Sequence, residues 1–497
     1  MKEKKAQTNL EEYFSRFRKQ IIGINACIDS PFGKQKIIYA DWIASGRLYR
    51  PIEEKLYQEI GPMVGNTHSE ASETGTLMTK AYQYAHQVIK RHVNANSNDV
   101  IITSATGMTG VVCKFQRILG LKIPEKLEQY CEIPEEERPV VFITHLEHHS
   151  NHTSWLETVA DVIVLEPRQN LLVDPENLRR EIKKYTNRKF KIGAFSACSN
   201  VTGYMPPIYD LSKIMHQHDG YCFIDYAASA PYVDINMHPE DPEMRLDAIY
   251  FSPHKFLGGP GSSGVLVFNK ELYKNRIPDH PGGGTVNWTN RWNEYSYIVD
   301  VEAREDGGTP GFMQGFRIAL CIELKERMDT RNIKLREEEL LDIAFRELPK
   351  IKGLKILADN VKNRLGVISF FIEGIHHNLV TKLLNDLYGI QVRGGCSCAG
   401  TYGHFLLKVD YDQSHSITDH IDHGDFSLKP GWVRLSIHPT MTNEELMTIV
   451  KALNEISSNI DQYRHQYVHN KSTNEFDHVD FKKNYQKIFK NWFSLNH

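Results

Sequence analysis

Between about residues 51 and 268 the chain alternates short β-branched, apolar runs with amphipathic stretches, and this alternation restricts the possible folds more than any other feature. The runs lie at 100–103, 140–143, 162–165, 192–195, 221–224, 248–251 and 265–268. Several are apolar on both faces, as strands are when helices cover a sheet from either side. The expectation is an α/β protein whose large domain, 51–312, is built on a doubly wound mixed sheet. Beyond a glycine-rich segment, 281–285, and an acidic loop, 302–309, a long helical pattern over 313–348 leads into a smaller α+β domain, 313–460. That domain carries strand patterns at 366–372 and 432–437 and a helical one at 377–388. Residues 1–50 are expected to pack with the small domain. Residues 461–497 form a polar, His/Lys/Asn-rich extension ending in an aromatic amphipathic stretch.

The formal charge of −3 supplies no basic field for nucleic acid or acidic membranes, which points to a small-molecule substrate. No run approaches the roughly 18 apolar residues of a membrane span, and Met1-Lys2-Glu3-Lys4-Lys5 leads into polar sequence without a hydrophobic signal core. A cytoplasmic protein is expected. Eight cysteines spread along the chain make no disulfide framework, and Cys113, Cys198, Cys222 and Cys321 read as packed, reduced thiols.

The chemistry concentrates at Ser252-Pro253-His254-Lys255-Phe256-Leu257-Gly258-Gly259, a lysine just after a buried strand and before a glycine turn. A surface lysine in a β-turn has the same local pattern. A pyridoxal 5′-phosphate (PLP) site needs such a lysine for a Schiff base and small neighbours to admit substrate. One strand earlier, Asp225 ends the run 221–224, where an aspartate can pair with a protonated pyridine nitrogen or simply cap a helix. The small-residue turn Thr103-Ser104-Ala105-Thr106-Gly107-Met108-Thr109-Gly110 offers backbone N–H groups to a phosphate, although such turns are frequent without ligands. His145, His148, His149 and His152 would share one face of a helix. No carboxylate or cysteine cluster completes a metal site around them, so the expectation is no metal and one imidazole stacked on a cofactor ring.

The order of glycine turn, Glu147-His148-His149, Ser199-Asn200-Val201-Thr202-Gly203, Asp225 and Ser252-Pro253-His254-Lys255 resembles the cysteine desulfurase and selenocysteine lyase branch of the class V aminotransferase superfamily, over roughly 39–437. The resemblance implies a type I PLP-dependent transferase fold and a homodimer with active sites at the subunit interface. It implies that Lys255 is the Schiff-base lysine, Asp225 the pyridine partner, His148 the stacking residue and Asn200 a neighbour of ring and substrate. Thr109, Ser252 and His254 match phosphate contacts, and Thr309 matches a threonine that reaches the phosphate of the other subunit. In Arg393-Gly394-Gly395-Cys396-Ser397-Cys398-Ala399, Cys398 falls at the persulfide-forming position and Arg393 at a supporting arginine. Arg434 matches the arginine that grips the substrate carboxylate. Read from the residues alone, an edge-strand arginine, a buried thiol and half a zinc site remain alternatives.

Three features depart from the family pattern. Ala228 stands where the family carries a glutamine that contacts the cofactor's phenolic oxygen. Residues 400–430 are an extended His/Asp-rich stretch with the character of a lid. The segment 39–46 differs from the usual Asp-Asn-Ala-Ala pattern. The activity implied is sulfur or selenium release from L-cysteine or a related amino acid through a persulfide on Cys398, handed to a sulfur-acceptor protein. C–S lysis, epimerisation or transamination without persulfide, and a noncatalytic scaffold, are the other readings.

Overall fold

A computed structural model describes residues 9–104, 107–361 and 363–495; Ala105 and Thr106 of the expected phosphate turn lie outside them. The large sheet has seven strands in the spatial order Asp99–Ser104, Gly264–Asn269, Ala248–Phe251, Tyr221–Asp225, Lys191–Ser196, Val140–Thr144, Asp161–Leu165. Gly264–Asn269 runs antiparallel to both its neighbours, and the other six strands all run in one direction. All seven apolar runs of the sequence are strands of this mixed sheet.

Burial on both faces explains why those runs are apolar without alternation. In Tyr221–Asp225, Phe223 and Ile224 point into different cores. Phe223 packs with Phe115 and Trp155, ring centroids 5.0 and 6.3 Å away, under the helices Gly107–Ile118 and His149–Leu156. Ile224 joins the opposite core, to which the helices Glu73–His92 and Phe312–Met328 contribute Met78, Ile89, Ile318 and Ile322.

A second sheet, antiparallel, has the order Leu354–Ile356, Val367–Ile372, Trp432–Ser436, Arg393–Gly395. Its core includes Leu340, Val380, Leu383 and Leu453, from the helices Thr330–Glu347, His377–Tyr388 and Asn443–Arg464. Ile38–Tyr39 pairs in parallel with Ile390–Gln391, which draws the N-terminal segment against this sheet and over the end of the larger one.

The helical pattern over 313–348 is two helices, Phe312–Met328 and Thr330–Glu347, and not one. Asp329 separates them in the left-handed region at φ 63°, and its carboxylate caps the second helix by accepting from the Arg331 N–H at 2.9 Å. Periodicity continues across the break because both helices bury one face, so hydrophobic pattern alone does not reveal it. The 400–430 stretch folds as two helices, Gly400–Leu407 and Tyr411–Asp422. The C-terminal extension forms a hairpin of Tyr467–Asn470 with Glu475–His478, then the helix Tyr485–Trp492. All eight cysteines are free, and no helix among the described residues is long and apolar enough to cross a membrane.

Candidate active site

In an open α/β sheet the carboxyl ends of parallel strands leave a crevice, because the loops there diverge to helices on opposite faces. Here that crevice is a cavity of about 240 Å³. Asp225 and Ser196 end adjacent strands at its floor, and Ser252 follows the next strand directly. Lys255 closes a single 3₁₀ turn, Pro253–Lys255, its N–H donating to the Ser252 carbonyl at 3.1 Å. Two close approaches require glycine around it: a Cβ on Gly46 would stand 1.8 Å from the Phe256 carbonyl oxygen, and one on Gly259 would stand 1.9 Å from that of Pro253.

Asp225 and Lys255 titrate against type. Dehydration raises the Asp225 carboxyl to about 7, against the pull of the Ala227 N–H, which donates to Oδ1 at 2.7 Å, and of Lys255. Dehydration lowers the Lys255 amine to about 8, against Asp225, and Arg434 adds to the lowering. A lysine near neutrality at pH 8 is a nucleophile.

His148 stands over the same cavity as the N-cap of His149–Leu156; its Nδ1 accepts the Ser150 N–H at 3.1 Å, which assigns the ring proton to Nε2. Burial, then Lys255, hold this imidazole down at about 3, so it is neutral. Burial and Lys255 likewise lower His254, to about 4. The four histidines do not share a helix face. His145 lies before the helix, buried against Tyr402 and Phe405, and its Nε2 donates to the Leu171 carbonyl at 3.1 Å. The chain leaves the strand by a turn that Glu147 fills, and helical geometry begins only at His149. Among the described residues no group of three or more His, Cys, Asp or Glu could hold a metal ion.

Two helix N-termini meet at one end of the cavity. The Met108 N–H donates to Ser252 Oγ at 3.1 Å, and Thr109 Oγ1 bonds Ser150 Oγ at 2.7 Å, so the starts of Gly107–Ile118 and His149–Leu156 bring three hydroxyls together. Such an end suits a dianionic group.

The other end is formed by the small sheet. Arg434 is buried beneath Asn200 and donates from Nη2 to Asp41 Oδ1 at 2.9 Å and from Nη1 to the Asn200 carbonyl at 3.3 Å. Its Nε is buried with no hydrogen-bond partner. Arg393, more exposed, takes Asp41 Oδ2 with Nε and Nη2 at 3.1 and 3.0 Å. Desolvation lowers both guanidiniums, and Asp41 overcomes it for Arg393 alone, which is net raised. Asp41 was not singled out by the sequence; only its position in the divergent segment 39–46 hinted at it. Cys398 is exposed at the cavity mouth, whereas Cys396 packs against the large core and does not line the cavity. Buried Cys198 does line it, its thiol pushed up by burial. Ala228 forms part of the wall. Thr309 is exposed and outside this cavity.

The residues present fit PLP: an amine nucleophile, a buried carboxylate at a strand end, a neutral imidazole, an anion-binding end and a buried guanidinium around one cavity.

These features define an α/β enzyme fold with a lysine-centred site. The chain belongs to the aminotransferase class-V family, whose model matches residues 38–449. It is 27% identical over 380 residues to a probable cysteine desulfurase of Staphylococcus aureus, covering 75% of this chain and 85% of the relative. It is 29% identical over 342 residues to one of Staphylococcus epidermidis, covering 67% and 76%. Its fold matches a cysteine desulfurase from Thermococcus onnurineus with a TM-score of 0.71 at 22% identity, over 89% of this chain and 98% of that one. A cysteine desulfurase from Escherichia coli gives 0.68 at 20% identity, with the same coverage.

The depressed Lys255 amine has a direct consequence. In protein freed of any aldehyde cofactor, an amine-selective reagent followed by peptide mapping is expected to label Lys255 with a midpoint near pH 8. A midpoint above about 10, the ordinary lysine value, would show that the amine is hydrated and the cavity wrongly described.

Proposed function

We propose that the chain is a PLP-dependent cysteine desulfurase, which takes sulfur from L-cysteine onto Cys398 and releases alanine. The observation that carries this reading is that Lys255, Arg434 and Cys398 line one cavity. Lys255 would hold PLP covalently, Asp225 its ring nitrogen, His148 its ring face, and Thr109, Ser252 and His254 its phosphate. Bound there, PLP supplies an electron sink that loosens the bonds at the substrate Cα and Cβ.

Arg434, which lines the cavity beside Asn200, would take the substrate carboxylate, so the amino acid is held by the end away from its sulfur. Lys255 Nζ, half-neutral near pH 8, would be the base that takes the proton from the substrate Cα. The Cys398 thiolate then forms a bond to the substrate sulfur as the Cβ–S bond breaks. The electron pair of that bond stays with the carbon skeleton, which is protonated and leaves as alanine. The persulfide on Cys398, at the exposed mouth, passes to an acceptor protein.

A second reading, class V lysis or transamination without persulfide, is favoured by Ala228, since the wall lacks the glutamine that the family pattern carries there. Incubation with L-cysteine separates the two. Equal yields of alanine and transferable sulfur, abolished in Lys255→Ala, are expected; pyruvate and ammonia in place of alanine would contradict the desulfurase.

Asp41 competes with the substrate carboxylate for both arginines. Asp41→Asn keeps an acceptor for Arg434 but removes the charge, so KM for L-cysteine should fall about fivefold, reflecting ~1 kcal/mol of repulsion between partly hydrated carboxylates. A raised KM would make Asp41 an orienting group whose charge is needed.

We also infer a homodimer. Thr309 lies outside its own cavity, and Tyr57, Tyr84, Trp292 and Val299 are large apolar side chains between 61 and 85% exposed. Sedimentation is expected to give a dimer, with a fully active monomer as the contrary result.

A further inference from the structure

His149 has no part in the proposed chemistry, yet it touches the cysteine loop twice. Its N–H donates to the Cys398 carbonyl at 2.9 Å, and its Nε2 accepts the Gly400 N–H at 3.1 Å. One residue therefore spans the loop on both sides of Ala399.

That loop needs outside support. Ser397 and Cys398 are consecutive non-glycine residues in the left-handed region, at φ 54° and 56°, each costing about 1–2 kcal/mol. The helix that follows, Gly400–Leu407, begins at an N-cap, Ala399, whose side chain makes no capping bond. The imidazole of His149 supplies the missing acceptor from across the cavity mouth. Asn200 Nδ2 adds a bond to the Ser397 carbonyl at 2.7 Å, and His152 Nδ1 meets Thr401 Oγ1 at 3.2 Å. Dehydration, with Lys429 second, lowers His149, which keeps Nε2 an acceptor.

We propose that His149 is a positioning residue that caps Gly400–Leu407 in place of Ala399 and pins the Cys398 carbonyl, fixing where the Cys398 thiol stands relative to the cavity. His148 and His149 are adjacent, so the imidazole facing the cofactor site and the clamp on the thiol are set by one helix start. The part concerning sulfur transfer rests on the desulfurase reading; the clamp itself does not.

The test uses the full-length holoenzyme and the variants His149→Ala, His149→Gln and His149→Asn, all of which keep the backbone donor. A glutamine oxygen reaches the position of Nε2, and an asparagine oxygen falls short of it. Two quantities are read: the rate of Cys398 alkylation by iodoacetamide, mapped by mass spectrometry, and kcat and KM for L-cysteine. In His149→Ala and His149→Asn, alkylation should rise about tenfold and kcat fall about tenfold with KM within about twofold, the loss of roughly one hydrogen bond. His149→Gln should stay within about threefold of the unaltered enzyme in both. Glutamine behaving like asparagine, or alkylation unchanged in both, overturns the clamp. If the unaltered enzyme releases no alanine, the desulfurase reading fails while the alkylation series still decides the clamp. Should the alanine variant not fold, the glutamine and asparagine pair carries the comparison.

Discussion

The carboxylate of Glu147 is enclosed away from water and receives the Thr144 hydroxyl at 2.6 Å, the Ser196 hydroxyl and N–H at 2.6 and 3.0 Å, and the Asn151 amide at 2.6 Å. Burial raises it, and these donors oppose that rise. Asn151 in turn accepts from Trp155 Nε1 and from the Tyr250 hydroxyl, so three parallel strands and the helix His149–Leu156 are joined through one buried polar network. A buried network that is satisfied throughout has one geometry, because leaving any donor unpaired costs about 1–3 kcal/mol. His148 and His149 follow Glu147 directly. Their placement over the cavity, and through His149 the placement of the cysteine loop, descends from this carboxylate.

Charge at the opposite end is arranged by Asp41. Two guanidiniums held on one carboxylate leave a net positive site, which a second carboxylate would balance. A site with this balance suits an amino acid with a single carboxylate and a small side chain. The Lys255 end of the cavity is dehydrated enough to keep an amine close to neutral, and the arginine end is anchored by ion pairs, so the two halves of the substrate meet opposite electrostatic demands within about 240 Å³.

Much of this was legible in the sequence because the relevant signals are local. Seven apolar runs stand for seven strands, and Lys255 and Asp225 are recognisable from the turn and strand ends that hold them. What escaped depends on contacts distant in the chain: Asp41 meets Arg393 across 352 positions, and nothing near either residue foretells the pairing. Cys398, which the family resemblance set apart from Cys396, does line the cavity; what the sequence leaves unmarked is the loop's backbone, two consecutive left-handed residues without a glycine. The histidines look like a helix face because their spacing is helical, yet the buried Glu147 displaces the helix start to His149. The break at Asp329 is hidden in the same way, since an aspartate cap at a left-handed position interrupts the backbone without interrupting the apolar pattern.

The central claim is that the thiol of Cys398 receives the sulfur that leaves a substrate held by Lys255 and Arg434. Mass mapping of the holoenzyme after a single turnover of L-cysteine, with Cys396→Ser as control, addresses it most directly. The account predicts one added sulfur on Cys398 per alanine released, in the unaltered enzyme and in the control alike. Alanine released at full rate from Cys398→Ser, or the added sulfur found on another cysteine while Cys398 stays unmodified, would contradict it.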